Sequence, residues 1–452
     1  MDASRFFTHS LRDPRIARIL AAAIEAVDPD TAVERYLNSN PLPSNGRVFA
    51  LGLGKAALPM TRALSRHVDL TRALVITKHA AEPGFEPVTI MESGHPVPDA
   101  RSLAAGSAAL EFVSELREDD LLVCLISGGG SALMTAPVVP LEDMQALTTA
   151  LLACGARIDE INTLRRHLDR VKGGGITKAT KTRVLSLILS DVVGSPLEAI
   201  ASGPTAPDPT TKEDALAVMK KYFRMSLRAE RSNLMEPPNR RLPRRRSAAT
   251  RTDIKIPASI LQSLSSNPEI PKPNDPIFSR VDNVVVGDNA LAIQAALKQA
   301  EQEGFQAKSL GSDWQGEARE VGPELVQKMR VTMKLTSHSF CLIAGGETTV
   351  TIHGKGKGGR NQELALAAVP VLAGLENALL ICLATDGEDG PTDAAGAVVN
   401  GETLQRAEEL DLTVADYLSR NDAYPFFEQL GDLLKIGPTG TNVNDLAFLL
   451  KI

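Results

Sequence analysis

The chain is poor in cysteine and aromatic residues and has no long apolar run. Only four cysteines stand among its 452 residues, and none forms a Cys-x-x-Cys pair, which argues against a disulfide framework or a zinc ribbon. Cys124, Cys341 and Cys382 each lie inside a short apolar run, the setting of a small buried hydrophobe, and this usage fits a reducing, cytoplasmic compartment. No stretch reaches the roughly 18 apolar residues of a membrane-spanning helix. The opening MDASRFFTHS lacks the basic start and apolar centre of a secretory signal. A net charge of -6 gives no bulk attraction to nucleic acid or to an anionic membrane. The pattern Gly-x-x-x-x-Gly-Lys-Ser/Thr is absent, which argues against P-loop nucleotide binding. The seven histidines are scattered and make no Ser/His/Asp or Cys/His signature.

What is present is an ordinary globular composition, 43% hydrophobic and 23% charged, on a chain long enough for two or three domains. Short runs rich in Val, Ile and Leu at 47–54, 73–78, 120–127, 184–191, 283–288, 340–347 and 378–387 read as buried strands. They are continuous rather than alternating, as strands covered on both faces should be. Helical patterns follow most of them, for example AALPMTRALSRHV at 56–68 and NQELALAAVPVLAG at 361–374, the latter expected to be capped by Asn361. The alternation predicts an α/β fold with a mainly parallel sheet and a site at the carboxyl ends of its strands. One segment departs from this pattern. Residues 224–251 hold nine arginines against two glutamates and three prolines, with no period. They read as a solvated, disordered surface insertion rather than a nucleic-acid arm.

Several loops could carry chemistry. LGLGKAAL follows a strand and opens a helix, bringing Gly52, Gly54 and Lys55. Its shape is close to a dinucleotide fingerprint, which requires an acid at the end of the next strand. Lys78 stands there instead, so an NADP-linked reductase stays open as an alternative. The same loop otherwise offers N–H groups to an anion, with Lys55 as a mobile cation. Ser127, Gly128, Gly129, Gly130 and Ser131 make a second glycine loop. Its N–H groups can converge on carboxylate or phosphate oxygens, although such a loop is also an ordinary tight turn. Arg165, Arg166, Arg170 and Lys172 precede Gly173–Gly175, and Arg165 and Lys172 are candidates for anion binding unless the run is a solvated face.

Acids follow apolar strands at Asp191, Glu347 and Asp386. Hard oxygen ligands on such loops suit Mg2+, which binds through one or two carboxylates plus substrate phosphates. In GKGKGGRNQE, the cations Lys355, Lys357 and Arg360 run through Gly358 and Gly359 into a helix start. Cations beside a helix N-terminus make sense when a polyphosphate lies between them. GPTGTNVND at 437–445 is a further loop of this kind. Glycine nests, mobile cations and carboxylates together are the parts of metal-assisted phosphoryl transfer outside the P-loop class.

Taken in order, GLGKAA, SGHPVPD, LISGGGSAL, INTLRRHLDRVKGG, SDVVGSPLEAIASGPTAPDPTT, AGGETTVTIHGKGKGGRNQELALA, ATDGEDGPTDAAGA and GPTGTNVNDL resemble the class II glycerate 2-kinases, which carry a C-terminal MOFRL domain. The resemblance covers nearly the whole chain outside the arginine-rich segment. It implies a Rossmann-like domain over 1–275, a smaller α/β domain over 276–452, and a site in the cleft between them. It implies phosphorylation of the 2-hydroxyl of D-glycerate by ATP with Mg2+; a cytoplasmic monomer or homodimer is expected beside it. Lys55, Arg360 and Asp191 are the active-site residues it implies. On charge grounds Lys55 and Arg360 would neutralise the transferring group, the latter by a two-pronged contact. Asp191 would orient the attacking hydroxyl or hold Mg2+, and the glycine loops would bind anionic oxygens. A decayed, non-catalytic member is the other expectation, because of the insertion and a shortened loop after Asp191.

Overall fold

The computed structural model describes residues 1–43, 46–80, 84–223 and 256–452. The expectation of a surface insertion at 224–251 therefore lies outside the described residues.

Strands β1 (Val48–Leu53), β2 (Leu70–Thr77), β3 (Val88–Glu92), β4 (Leu121–Ile126), β5 (Arg183–Leu189) and β6 (Val281–Gly287) form one parallel sheet in the order 3-2-1-4-5-6. This is the doubly wound order, whose direction of winding reverses between β1 and β4. Successive residues feed opposite layers. In β4, Val123 and Leu125 join the core that takes in helices Pro14–Glu25 and Pro29–Ser39, while Leu122, Cys124 and Ile126 join the one beneath helix Ala100–Ser114. With both faces covered, neither parity is free to be polar, and the strands read as unbroken apolar runs.

Strands β7 (Gln306–Trp314), β8 (Phe340–Gly346), β9 (Ala378–Ala384), β10 (Gly396–Asn400) and β11 (Asp445–Lys451) form a second, mixed sheet in the order 10-9-11-8-7. β11 is antiparallel to both β8 and β9. Its first residue, Asp445, pairs with Gly346 on one side and Ala384 on the other. The start of the last strand thus lies among the ends of β8 and β9.

The division expected after residue 275 does not follow the sheets. β6 lies beyond it and pairs in parallel with β5. The beginning of the chain also sits with the second half. Helix Pro14–Glu25 packs along helix Asn289–Gln302, and its Ile16, Leu20 and Ile24 share a core with Ile293, Ile343 and Phe448. The chain therefore crosses between the halves near Val27 and again at Gly287. Arg35 holds the two crossings together, donating to the Ala26 carbonyl at 2.7 Å and the Val286 carbonyl at 2.6 Å.

Helices Leu141–Ala153, Ile158–His167, Lys212–Tyr222 and Ala258–Ser266 gather around a separate core containing Leu147, Leu164, Met219 and Ile260. Phe223 and Ile256, on either side of the undescribed stretch, both pack into it. Among the described residues no helix is long and apolar enough to cross a membrane.

Candidate active site

The loops after β1 and β4 meet at the point where the winding reverses, and their contact decides which N–H groups remain open. Gly54 has φ +118°, and a Cβ there would stand 2.3 Å from Ser127 Oγ and 2.4 Å from the Ser127 carbonyl oxygen. The first loop is pressed flat on the second. Gly54 N–H donates to the Ile76 carbonyl, Lys55 N–H to the Gly128 carbonyl, and Ala56 N–H to Ser127 Oγ, each at 3.0 Å. The N–H groups of Gly54, Lys55 and Ala56 are thus taken by protein acceptors and not open to an anion, contrary to the expectation for Gly54. Its glycine permits close approach instead, and Lys55 projects outward, exposed and without a partner among the described residues.

The second loop is open. The N–H groups of Gly128, Gly129, Gly130 and Ser131 donate to no partner among the described residues. Its floor is a left-handed turn, Ala201, Ser202 and Gly203, with φ of 51°, 61° and 60°. That conformation costs roughly 1–2 kcal/mol for each non-glycine residue. It is held by Ser202 Oγ against Ser131 Oγ at 2.7 Å and by Gly173 and Gly174 N–H groups on the carbonyls of Ser202 and Gly203.

The second glycine triplet is therefore closed, with its donors engaged by backbone. Of the four cations before it, Arg166 and Lys172 are engaged too. Arg166 pairs with Asp208 at 2.9 Å, and the buried Lys172 ammonium lies 3.1 Å from Asp169 and donates to the Met134 carbonyl at 2.8 Å. Lys172 thus props the loop from below, which corrects its reading as an anion ligand. The Arg165 and Arg170 side chains have no hydrogen-bond or ion-pair partner among the described residues; Arg170 is exposed, whereas burial pulls the Arg165 guanidinium down.

Asp191 follows β5 and lies against Gly128, where a Cβ would meet its Oδ2 at 2.2 Å. Burial pushes this carboxyl up, Glu347 adds to the shift, and Lys55 opposes it. Residues of both halves thus act on one carboxylate. In the second half, Arg360 opens helix Arg360–Leu372. Its Nη1 donates to Glu347 Oε1 at 2.5 Å, its Nε lies 2.6 Å from Asp445 Oδ2, and its Nη2 donates to Asp445 Oδ1 at 3.2 Å. Burial lowers the Arg360 guanidinium, but the two carboxylates outweigh it and hold the group charged. Asp445 was missed in the sequence, where it only ends a glycine-threonine loop.

The expected cap at Asn361 is also revised. Asn361 is inside the helix, and Asp389 caps it, accepting from the N–H groups of Asn361 at 3.1 Å and Gln362 at 2.8 Å. Gly359 leaves room for that carboxylate, since a Cβ there would lie 2.2 Å from its Cγ. Lys357 stacks on Tyr424, its Nζ 3.6 Å from the ring centroid.

Lys55 and Ile158 from the first half, and Glu347, Gly358, Gly359, Arg360 and Asp386 from the second, border one cavity of about 1050 Å³. Burial pushes the Asp386 carboxyl up, with Lys55 and Arg360 opposing. Among the described residues no three His, Cys, Asp or Glu converge closely enough to hold a metal on their own. Asp191, Glu347 and Asp386 therefore do not form a protein-only cage. His95 was missed as well; its ring lies over Gly129.

Residues 15–235 match the model for a domain of unknown function, DUF4147, and residues 340–445 match the MOFRL family. A glycerate 2-kinase of Pyrococcus horikoshii is 36% identical over 450 residues, spanning 96% of each chain. A D-glycerate 2-kinase of Thermotoga maritima is 38% identical over 437 residues, spanning 95% of each. The crystal structure of a Thermotoga maritima glycerate kinase superimposes with a TM-score of 0.84 at 38% identity, covering 96% of this chain and 98% of that one. The chain belongs to the class II glycerate kinase family.

Proposed function

We propose that this chain transfers the γ-phosphoryl group of ATP to the 2-hydroxyl of D-glycerate, giving 2-phosphoglycerate. The observation that carries the reading is the convergence of Lys55 and Arg360, from separate sheets, on one cavity. The relatives named as glycerate 2-kinases over nearly their whole length support it.

Phosphoryl transfer depends on positioning and on charge stabilisation more than on covalent help. The free ammonium of Lys55 would neutralise charge on the transferring group. Arg360 would add a two-pronged contact, kept in place by Asp445. Of its two carboxylate partners, Glu347 is the more exposed, so Glu347 is the one that gives way to a phosphate oxygen. The open N–H groups of Gly128–Ser131 and the guanidinium of Arg165 would hold the acceptor's carboxylate.

Asp191 and Asp386 fit Mg2+. Both are half-buried carboxylates, pushed up, and neither has an ion-pair partner among the described residues. Two carboxylates plus phosphate oxygens are a common Mg2+ environment. When bound, the ion would offset phosphate charge, and Asp191 would lie beside the glycine loop that holds the acceptor. The reading includes a cytoplasmic location, supported by the free thiols of Cys124, Cys341 and Cys382, and a monomer or homodimer.

A nicotinamide dinucleotide fits less well. Its pyrophosphate would need the N–H groups of the turn after β1, and those of Gly54, Lys55 and Ala56 are engaged by Ile76, Gly128 and Ser127. The decisive assay supplies ATP, Mg2+ and D-glycerate and reads the product through enolase. Signal without added phosphoglycerate mutase identifies the 2-phospho product. A signal that requires the mutase, or none from folded protein, refutes the reading.

A further inference from the structure

The turn SGHPVPD joins β3 to helix Ala100–Ser114 and is tied to the open glycine loop. Ser93 N–H donates to the Thr77 carbonyl at 2.9 Å, and Ser93 Oγ donates to the Leu133 carbonyl at 2.7 Å. Leu133 closes the short helix that leaves the 127–131 loop. Two residues after Ser93, the edge of the His95 ring lies over Gly129. A Cβ on Gly129 would stand 3.1 Å from both Cδ2 and Nε2 of that ring, and 3.6 Å from Lys55 Cγ. Gly129 is thus flanked by His95 and Lys55, while Gly128 beside it faces Asp191. His95 is half-buried and makes no hydrogen bond or ion pair among the described residues.

Burial, and then the charges of Lys55 and Lys78, hold the imidazole below its ordinary value. A neutral imidazole has one donor and one acceptor. Anionic oxygens at this loop are already matched by the Lys55 ammonium and by four open N–H groups. What remains for an uncharged imidazole is an uncharged polar group. A hydroxyl suits it because it can both donate and accept.

We infer that His95 hydrogen-bonds an alcohol hydroxyl of the acceptor above Gly129, and so makes the pocket selective for hydroxy acids by their hydroxyl pattern. This rests on the acceptor proposed above. The two hydroxyls of D-glycerate share the same chemistry, and D-lactate, which lacks the 3-hydroxyl, separates them.

The test is calorimetric binding of D-glycerate, D-lactate and ATP to the full chain and to its His95→Leu and His95→Asn variants, with thermal melts of all three. Loss of one such hydrogen bond is expected to weaken D-glycerate binding by about 10-fold in His95→Leu. His95→Asn should recover part of the affinity, with ATP affinity and Tm unchanged. If D-lactate binding is insensitive to the leucine, the contact is to the 3-hydroxyl; if it falls in parallel, the contact is to the 2-hydroxyl. Equal D-glycerate affinity in all three proteins overturns the inference. So does a matching loss for ATP and in Tm, which is what a merely structural ring would give. Failure of the unaltered chain to bind D-glycerate overturns the acceptor reading itself, and the inference with it.

Discussion

Asp445→Asn should cost activity and leave the fold largely intact. The carboxylate makes two contacts with Arg360, at 2.6 and 3.2 Å. Asparagine keeps one acceptor oxygen and loses the charge. Hydrogen bonds to charged groups contribute about 1.5–3 kcal/mol each. Loss of one, taken as lost transition-state stabilisation, lowers kcat/KM by about 10- to 150-fold. Stability behaves differently. Removing one partner of a buried ion pair usually costs about 3–5 kcal/mol because it strands a charge. Here Arg360 retains Glu347 at 2.5 Å and is itself partly exposed, while the desolvation cost of the Asp445 carboxylate disappears. The expected change in unfolding free energy is therefore below about 1.5 kcal/mol, within the common range for single substitutions. The enolase-coupled assay at saturating ATP gives the first quantity and urea denaturation the second. A kcat/KM within about threefold of the unaltered chain would refute the positioning role, since that is under 0.7 kcal/mol. A stability loss above about 3 kcal/mol would refute the claim that Glu347 suffices to hold Arg360.

Lys55→Ala should lower kcat by about 10²–10³-fold, the usual cost of one donor to a developing charge. Its exposed, unpartnered side chain means that the melt should move by less than about 0.5 kcal/mol equivalent. Gly54→Ala should behave in the opposite way, losing at least about 2 kcal/mol in urea denaturation, because a Cβ meets the Ser127 backbone at a left-handed φ. A fully stable Gly54→Ala protein would show that the two loops can separate. Asp389 gives a pH test, its carboxyl being pushed by burial from 3.8 to about 6. The native chain then holds this proton more tightly than the unfolded one. The associated stability is complete below about pH 4 and lost as the pH rises through 6, by at most about 3 kcal/mol. Urea midpoints from pH 4 to 6.5 should fall less steeply in Asp389→Asn than in the unaltered chain, and parallel slopes would refute the assignment.

The strands found from sequence are those whose burial removes alternation. All seven apolar runs became strands. β3 and β7 have no continuous apolar run because many of their residues are half-exposed or exposed, and β10 is only five residues long with Gly396 and Asn400 at its ends. β11 is hidden for another reason, since its start reads as the end of a glycine-threonine loop. Lys55 and Arg360 stand out in the sequence as cations within glycine loops, and both border the same cavity. Asp445 does not stand out, because its role arises only when the last strand inserts between β8 and β9. The two glycine triplets, 128–130 and 173–175, are identical in composition and opposite in use. What separates them is the set of carbonyls at Ser202 and Gly203, some thirty residues beyond the second triplet, and no local pattern encodes it.

The placement of helix Pro14–Glu25 on the second half has a consequence for the order in which the molecule can assemble. Its apolar stripe of Ile16, Leu20 and Ile24 is made near the beginning of synthesis, and the helix that covers it, Asn289–Gln302, follows roughly 260 residues later. At about 5–20 residues per second, that stripe waits about 13–50 s for its partner. The first sheet has all its strands only when β6 is complete, one residue before the covering helix is capped at Asp288. The nascent chain therefore carries this helix without its Asn289–Gln302 partner through the making of an entire sheet, an interval long enough for a chaperone to bind it and for its neighbours on a crowded polysome to do the same.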